Sequence, residues 1–492
     1  MQLGDGGADL FHLGGHGSGS GVGSGLSLDH DARARKIARQ LSVSVTGERD
    51  RLLARLRAGG PRPLSRMLEG HPRKRADFKL MDARPDDAPA PGAPPVTQGI
   101  PKSVRWIGVA SLMTDASGEM IYPLIPLFLT SVLGGSVAFV GIIEGFAESV
   151  ASLIKLFSGR ISDRVAQRKP LVVFGYGVTA VFRPMVALAT SPWMVLFFRF
   201  ADRVGKGIRG SPREAMITDA TPKAIRGKAF GYHAAMDHVG AVVGPLMGFV
   251  LMVVWKLPLR SIFAWAAVPG VLAVFAVLMA KEAPKSAPKA KPPIDLTGYG
   301  PLYRYLIVLG VFTLGNASDA FLLLRAAQIL HPGQVLGSVI LADPTLLLLW
   351  AFHNFIKAVL GEKAGELSDK WGRKKSIGAG FIAYAITYLC FGFANAAWQV
   401  WALFAVYGLY YSLVEGAEKA LVADLTPAHK RGAGFGWYNA VIGLLSLPAS
   451  ALFGYLYKFY GSTLAFEVAA GLAALSSILL FVLVKEPDPE VA

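Results

Sequence analysis

From about residue 103 onward, apolar runs of roughly 20 residues recur with short polar links between them. Each run is long enough to cross a hydrocarbon core of ~30 Å as a helix rising ~1.5 Å per residue. Twelve can be counted, at approximately 104–132, 137–158, 170–190, 193–212, 229–254, 260–280, 303–326, 338–361, 376–393, 398–420, 433–457 and 463–485. The chain therefore reads as an all-α membrane protein in contact with a lipid bilayer. Its composition agrees, since 53% hydrophobic and 17% charged residues are too apolar a balance for a soluble chain of 492 residues.

The links after even-numbered runs are basic, as in "GRISDRVAQRK", "KEAPKSAPKAKPP" and "GEKAGELSDKWGRKK", whereas odd links such as "LGGS", "TS" and "ANAA" are nearly uncharged. Lys and Arg accumulate in cytoplasmic loops, so both termini are expected in the cytoplasm and the chain in the plasma or inner membrane. The net charge of +16 is placed in these links, which argues against a nucleic-acid partner. Residues 1–100, with "GGHGSGSGVGSG" and "DDAPAPGAPP", are expected to be a disordered cytoplasmic tail. Within that tail "DARARKIARQL" reads as a solvated arm or as a short basic helix on anionic lipid.

The second half repeats the first. "SDRVAQRK" at Ser162 returns as "SDKWGRKK" at Ser368, "TDATPKAIRGKAFGY" as "ADLTPAHKRGAGFGW", and "DASGEM" at Asp115 as "NASDAF" at Asn316. Three matches in chain order, each about 205 residues apart, imply a six-helix unit used twice. The expected division is a first bundle at 101–280, a cytoplasmic linker at 281–300, a second bundle at 301–486 and a short tail at 487–492. The fold class is thus twelve transmembrane helices in two pseudo-symmetric six-helix bundles.

The fourth run continues into "RFADRVGKGIRGSPRE". At ~100° per residue, Arg199, Asp202, Arg203, Lys206, Arg209 and Arg213 fall within an arc of about 120°. A charge at bilayer depth costs ~2.5–3.5 kcal/mol even on insertion scales, so this stripe faces protein or water. Arg213 and Arg209 can instead be read as end residues reaching the cytoplasmic rim. The tenth run offers Tyr407, Tyr411, Glu415, Glu418 and Lys419 on an equivalent arc, the second run Glu144, Glu148 and Lys155, and the seventh Asp319. Two readings of these charges stand: a polar central pathway that meets the substrate, or ion pairs that hold the bundle.

Asp115 lies about 11 residues, or ~16 Å, into the first run, near the middle of the core. Glu119 is one turn further on the same face, so the pair are candidates to carry a coupling proton. The alternative is a permanent ion pair between Asp115 and an Arg of the fourth run. His233, Asp237 and His238 read as packing or a gate pair more readily than as a metal site. Cys390 stands alone, and no phosphate loop or nucleophile elbow appears, so no metal, cofactor or enzymatic activity is expected.

These features resemble the major facilitator superfamily, and the resemblance runs from Ser103 to Lys485. "GRISDRVAQRKP" and "GELSDKWGRKKS" are similar to the family's G-x-L-x-D-R-x-G-R-K signature. The first copy has Ala166 for the family's Gly and Gln167 for its Arg. The resemblance implies a cytoplasmic gate made of Gly159, Asp163, Arg164 and Arg168, with Gly365, Asp369, Gly372 and Arg373 in the second copy, latching one half to the other. "GAVVGPLMG", with Gly240, Gly244, Pro245 and Gly248, is similar to the pattern associated with antiporters in the family; close helix packing is the competing reading. "RFADRVG" is similar to the family's fourth-helix motif.

The function expected from all this is proton-coupled efflux of a small molecule by alternating access, performed by a monomer. Glu148, Arg199, Asp202, Arg203, Lys206, Arg209, Asp319, Tyr411, Glu415 and Glu418 would line the central cavity. One alternative is proton-coupled uptake of an anionic metabolite bound by the fourth-helix stripe; another is a non-transporting membrane sensor.

Overall fold

The computed structural model describes residues 99–222, 225–282, 300–332, 344–427 and 431–485. The expected tail at 1–98, most of the linker, the start of the eighth run and the final tail lie outside the described residues. Among the described residues the apolar runs form twelve helical passages. They are α1 (Lys102–Ile121), α2 (Val137–Arg164), α3 (Lys169–Leu188), α4 (Pro192–Asp219), α5 (Arg226–Val253), α6 (Leu259–Met279), α7 (Gly300–Leu330), α8 (Thr345–Trp371), α9 (Arg373–Phe393), α10 (Ala397–Asp424), α11 (Arg431–Tyr460) and α12 (Ser462–Leu483). Nine are long and apolar enough to cross a membrane by length and composition; the other three, α1, α4 and α8, carry breaks or charge.

Helix starts follow local chemistry. Ser136 accepts the Phe139 amide at 3.3 Å and Ser191 the Met194 amide at 3.4 Å, so each caps the N-terminus that follows. Breaks follow proline. α1 tightens into a 3-10 turn at Tyr122–Leu124 and ends in a π turn at Phe128–Val132, because Pro123 and Pro126 remove two backbone donors. α7 is interrupted between Gly315 and Ala320, which places Asp319 at the break. On the basic-loop side α2, α4 and α10 extend as helix to Arg164, Asp219 and Asp424, well past the apolar runs. Charged segments expected to be loops are therefore helical extensions.

Packing repeats with the sequence. In the first half α1 packs on α5 and α6, α2 on α4, and α3 on α4 and α6. In the second half α7 packs on α11 and α12, α8 on α10, and α9 on α10 and α12. Adding six to each label of the first set gives the second. The halves meet along two seams, α2 with α11 and α5 with α8, which the same operation exchanges.

Candidate substrate and proton site

The two ends of the bundle differ. At the end bearing the short, uncharged loops, the tail of α1 and the far part of α7 merge into one apolar cluster in which Phe128, Leu129, Phe321, Leu322, Leu323 and Leu324 are fully buried. There the halves touch directly, with Tyr122 and Ser318 hydroxyls 3.3 Å apart and the Gly141 face of α2 pressed on the Ser450 carbonyl of α11. Deeper in the molecule Glu148, Lys206 and Glu415 are exposed. Charges on lipid would be prohibitive, and the short-loop end is sealed, so these groups reach water through the basic-loop end.

The α4 stripe resolves into two sets. Arg199 donates to both oxygens of Glu144 on α2, at 2.5 and 2.7 Å, and both side chains are buried. Arg183 of α3 pairs with Asp202 at 3.1 Å and reaches the Thr114 carbonyl of α1 at 2.6 Å, passing over Gly118, where a Cβ would stand 3.2 Å from the guanidinium. Arg209 is buried, donates to Thr179 at 2.7 Å and lies over the Tyr176 ring. Arg213 donates to Ser111 of α1 at 2.7 Å instead of reaching for the rim, because the α4 extension keeps it against α1. Arg199, Asp202, Arg209 and Arg213 thus hold α1 to α4 together, the packing reading of the stripe. Glu144 takes the ion-pair reading of the α2 charges; Arg183 goes unmarked in the sequence, with no charged neighbour in its own run to flag it.

Arg203 and Lys206 form the second set. Neither has a carboxylate within ion-pair distance among the described residues. Arg203 keeps a buried Nε without a hydrogen-bond partner. Both stand beside Glu148. Asp115, Glu119, Tyr122, Arg203 and Lys206 line a cavity of about 40 Å³, backed by Arg183, Arg199, Asp202 and Arg209. A water needs roughly 10–15 Å³, so the cavity takes water but no larger molecule. Asp115 makes no ion pair there among the described residues, contrary to the alternative in which an Arg of α4 holds it permanently. Glu119 accepts the Trp350 indole N–H at 2.6 Å from α8. That bond crosses from one half to the other, and sequence spacing gave no hint of it.

The second half answers with aromatics. At the α7 break Asp319 accepts the Tyr407 hydroxyl at 2.5 Å and the Tyr411 hydroxyl at 3.3 Å. Lys357 of α8, missed in the sequence, pairs with Glu415 at 3.3 Å and sits over the Tyr411 ring; Glu415 also accepts Lys419 at 3.3 Å. Glu418 is a correction: it is buried in the second half and accepts the Tyr438 hydroxyl at 2.8 Å, instead of lining the cavity. Its turn of α10 meets Tyr438 of α11.

On α5 the glycine motif packs helices. Gly240 lies against the Leu112 carbonyl, a Cβ on Gly244 would stand 2.5 Å from the Ala116 carbonyl, and one on Gly248 3.1 Å from that of Met120. Three glycines four apart thus seat α5 along α1, with Pro245 inside the same stretch. His233 Nε2 lies 2.9 Å from Ser111 Oγ, and its Nδ1 3.5 Å from Asp237.

The loop motifs hold within halves. Arg168 pairs with Asp219 at the end of α4, its Nε donates to Ser162 at 3.2 Å, and its amide donates to Glu282 at 2.5 Å. In the second copy Arg373 pairs with Asp369 in the last turn of α8, reaches Asp424 at 3.7 Å and donates to Ser368 at 3.4 Å. Both arginines therefore bind the end of the fourth helix of their own bundle among the described residues. Gly159 packs near Ser211, Gly372 takes a positive φ of 98° between α8 and α9, Gly365 meets nothing within 4 Å, and Arg164 is exposed. The Asp163 side chain lies outside the described residues.

A family model described as Major Facilitator Superfamily matches residues 107–356 and 346–492. An uncharacterised MFS-type transporter of Methanocaldococcus jannaschii is 33% identical over 383 residues, covering 77% of this chain and 94% of its own. Multidrug resistance protein MdtH of Salmonella arizonae is 23% identical over 340 residues, covering 68% and 80%. Among solved structures, the D-xylose-proton symporter superposes with a TM-score of 0.64 at 14% identity, over 78% of this chain and 98% of its own. The nucleoside transporter NupG gives 0.63 at 10% identity, over 77% and 98%. At these identities the two structures share the fold alone.

Proposed function

The chain belongs to the major facilitator superfamily, and from that premise we propose that it is a proton-coupled secondary transporter that exports a small molecule by alternating access. One observation carries the reading. Asp115 and Glu119 line a water-sized cavity, and Glu119 ties α1 to Trp350 of the opposite half. A carboxylate held by no basic partner can take up and release a proton as its access to water changes. Protonating Glu119 weakens its charge-assisted bond to Trp350, and so links proton binding to the seam between halves. Export is supported by the glycine and proline pattern of α5 and by the likeness to a relative named as a multidrug resistance protein. Both termini and the linker belong in the cytoplasm on this reading, which places the open end of the groove there.

A second reading is proton-coupled uptake of an anionic metabolite, and one observation favours it. Arg203 and Lys206 face the groove without an ion-pair partner among the described residues, as a pair awaiting a carboxylate or phosphate would. Substrate-stimulated proton flux in proteoliposomes separates the two. A screen of candidate substrates should find compounds that drive protons out of vesicles as they enter, for export, whereas anions that enter together with protons would replace export by uptake. Proton-independent movement of every transported compound would remove proton coupling.

A further inference from the structure

The part of α5 nearest the basic loops carries His233 and Asp237, which the reading above leaves without a role. Arg213 donates to Ser111 Oγ at 2.7 Å, and a guanidinium can only donate. With Arg213 as donor, the serine proton is free to point at His233 Nε2, 2.9 Å away, in the tautomer where that nitrogen accepts. The ring proton of the neutral histidine then sits on Nδ1, aimed at Asp237 Oδ2 at 3.5 Å. The other oxygen of Asp237, Oδ1, is buried without a hydrogen-bond partner, while the side chain as a whole remains 31% exposed. One turn along α5, Gly240 brings that helix onto α1, where a Cβ would stand 3.1 Å from Asp115 Cβ. Asp115 and Asp237 act on each other electrostatically. One carboxylate lines the mid-depth cavity and the next stands a turn nearer the open end.

We propose that Asp237, positioned by His233, passes the transported proton between Asp115 and the water of the open groove. The inference rests on the proton-coupled reading. In the transfer Asp115 gives up its acidic proton through a bridging water, and the carboxylate of Asp237 gains it at Oδ1. Asp237 then releases it to water, so each step exchanges one carboxylic acid for one carboxylate and needs no other reactant. The groups facing Asp237 are Asp115 from α1, Arg213 from α4, and His233 and His238 from its own helix; Lys357 of α8 and Glu415 of α10 bear on it by way of His238.

The test needs no substrate, because the probe is the proton itself. Rapid-mixing infrared spectroscopy of the purified full chain in lipid would follow the carbonyl stretch of protonated Asp115, identified by its absence in Asp115→Asn, after a pH jump. Asp237→Asn should slow its relaxation by roughly 10²-fold, and Asp237→Glu should restore most of the rate. His233→Gln should slow it less and shift the pH at which the rate is half-maximal, which a merely structural contact would not do. Relaxation of Asp237→Asn at the wild-type rate overturns the proposal. If Asp237→Asn yields no folded protein, His233→Gln decides alone, and an unchanged rate and pH profile there overturns it equally. A wild-type protein lacking the Asp115 signal would instead remove the proton-coupled reading itself.

Discussion

The two halves share one frame and differ in what fills it. In the first half the centre is ionic: Arg199 with Glu144 and Arg183 with Asp202 lie buried between helices, and Arg203 and Lys206, without an ion pair among the described residues, line a cavity with Asp115 and Glu119. In the second half it is aromatic: Tyr384, Tyr388 and Tyr407 are fully buried, Tyr410 is buried beside them, and Asp319 is held by hydroxyls. The loop contact recurs from a shifted position, since Arg168 with Asp219 and Ser162 is matched by Arg373 with Asp424 and Ser368, although Arg373 aligns with Gln167. Duplication kept what closes each bundle and changed what faces the groove. Ionic pairs and unpaired charge gather between the helices of the first half, whereas the second half packs buried aromatic rings beside Asp319.

The largest effect should come from stranding a charge in the ionic half. Asp202→Ala leaves Arg183 buried and unpaired, a loss of roughly 3–5 kcal/mol for a broken buried pair, and little folded protein should survive extraction and size-exclusion chromatography. Asp319→Asn, at the heart of the aromatic half, keeps an acceptor for Tyr407 and Tyr411 and should stay folded. Equal loss in both would mean the halves are held in the same way.

Next is Asp115→Asn, expected to abolish proton-driven transport while leaving folded protein and substrate binding intact. Recovery of normal proton-driven flux in this variant and in Asp115→Asn/Glu119→Gln would move the coupling site to the other wall.

A smaller change is expected from Trp350→Phe, which removes the one charge-assisted hydrogen bond described between Glu119 and the second half. Such bonds contribute about 1.5–3 kcal/mol. Distances between spin labels at the two ends should show the balance of open and closed populations shifting by that amount; unchanged populations would leave the seam to packing alone. Tyr407→Phe should have the mildest effect, about 0.5–1.5 kcal/mol in thermal denaturation, because Tyr411 still reaches Asp319.

Much of this architecture could be read before any coordinates. Run length and loop charge gave the spans, and repeats at Ser162 and Ser368 gave the two bundles, because a bilayer forces each segment to satisfy its own backbone. The polar stripe of α4 was visible as an arc, and the helix 5 glycines as a close-packing surface. Partners were not visible. Arg183, Lys357 and Trp350 lie in runs where one charge or one indole among apolar residues is indistinguishable from an end anchor or a packing residue. Glu418 shared the arc of Glu415, yet three residues on it stands about 60° round the helix and meets Tyr438. Arg213 could be read either as part of the α4 arc or as an anchor at the rim, and only its partner Ser111 on α1 decides between them.

The sequence by itself determined that the chain crosses a membrane as helices, that it is a six-helix unit used twice, and that charge is gathered on one stripe. Periodicity, length and internal repetition are properties of a single strand of residues. Only the tertiary structure decided which of those charges are neutralised and which remain available. Pairing depends on a few ångströms of separation between side chains far apart in the chain, as between Glu144 and Arg199 or Glu119 and Trp350. In a medium of low dielectric that separation, more than residue type, determines whether a charge holds the bundle or can bind a proton or an anion.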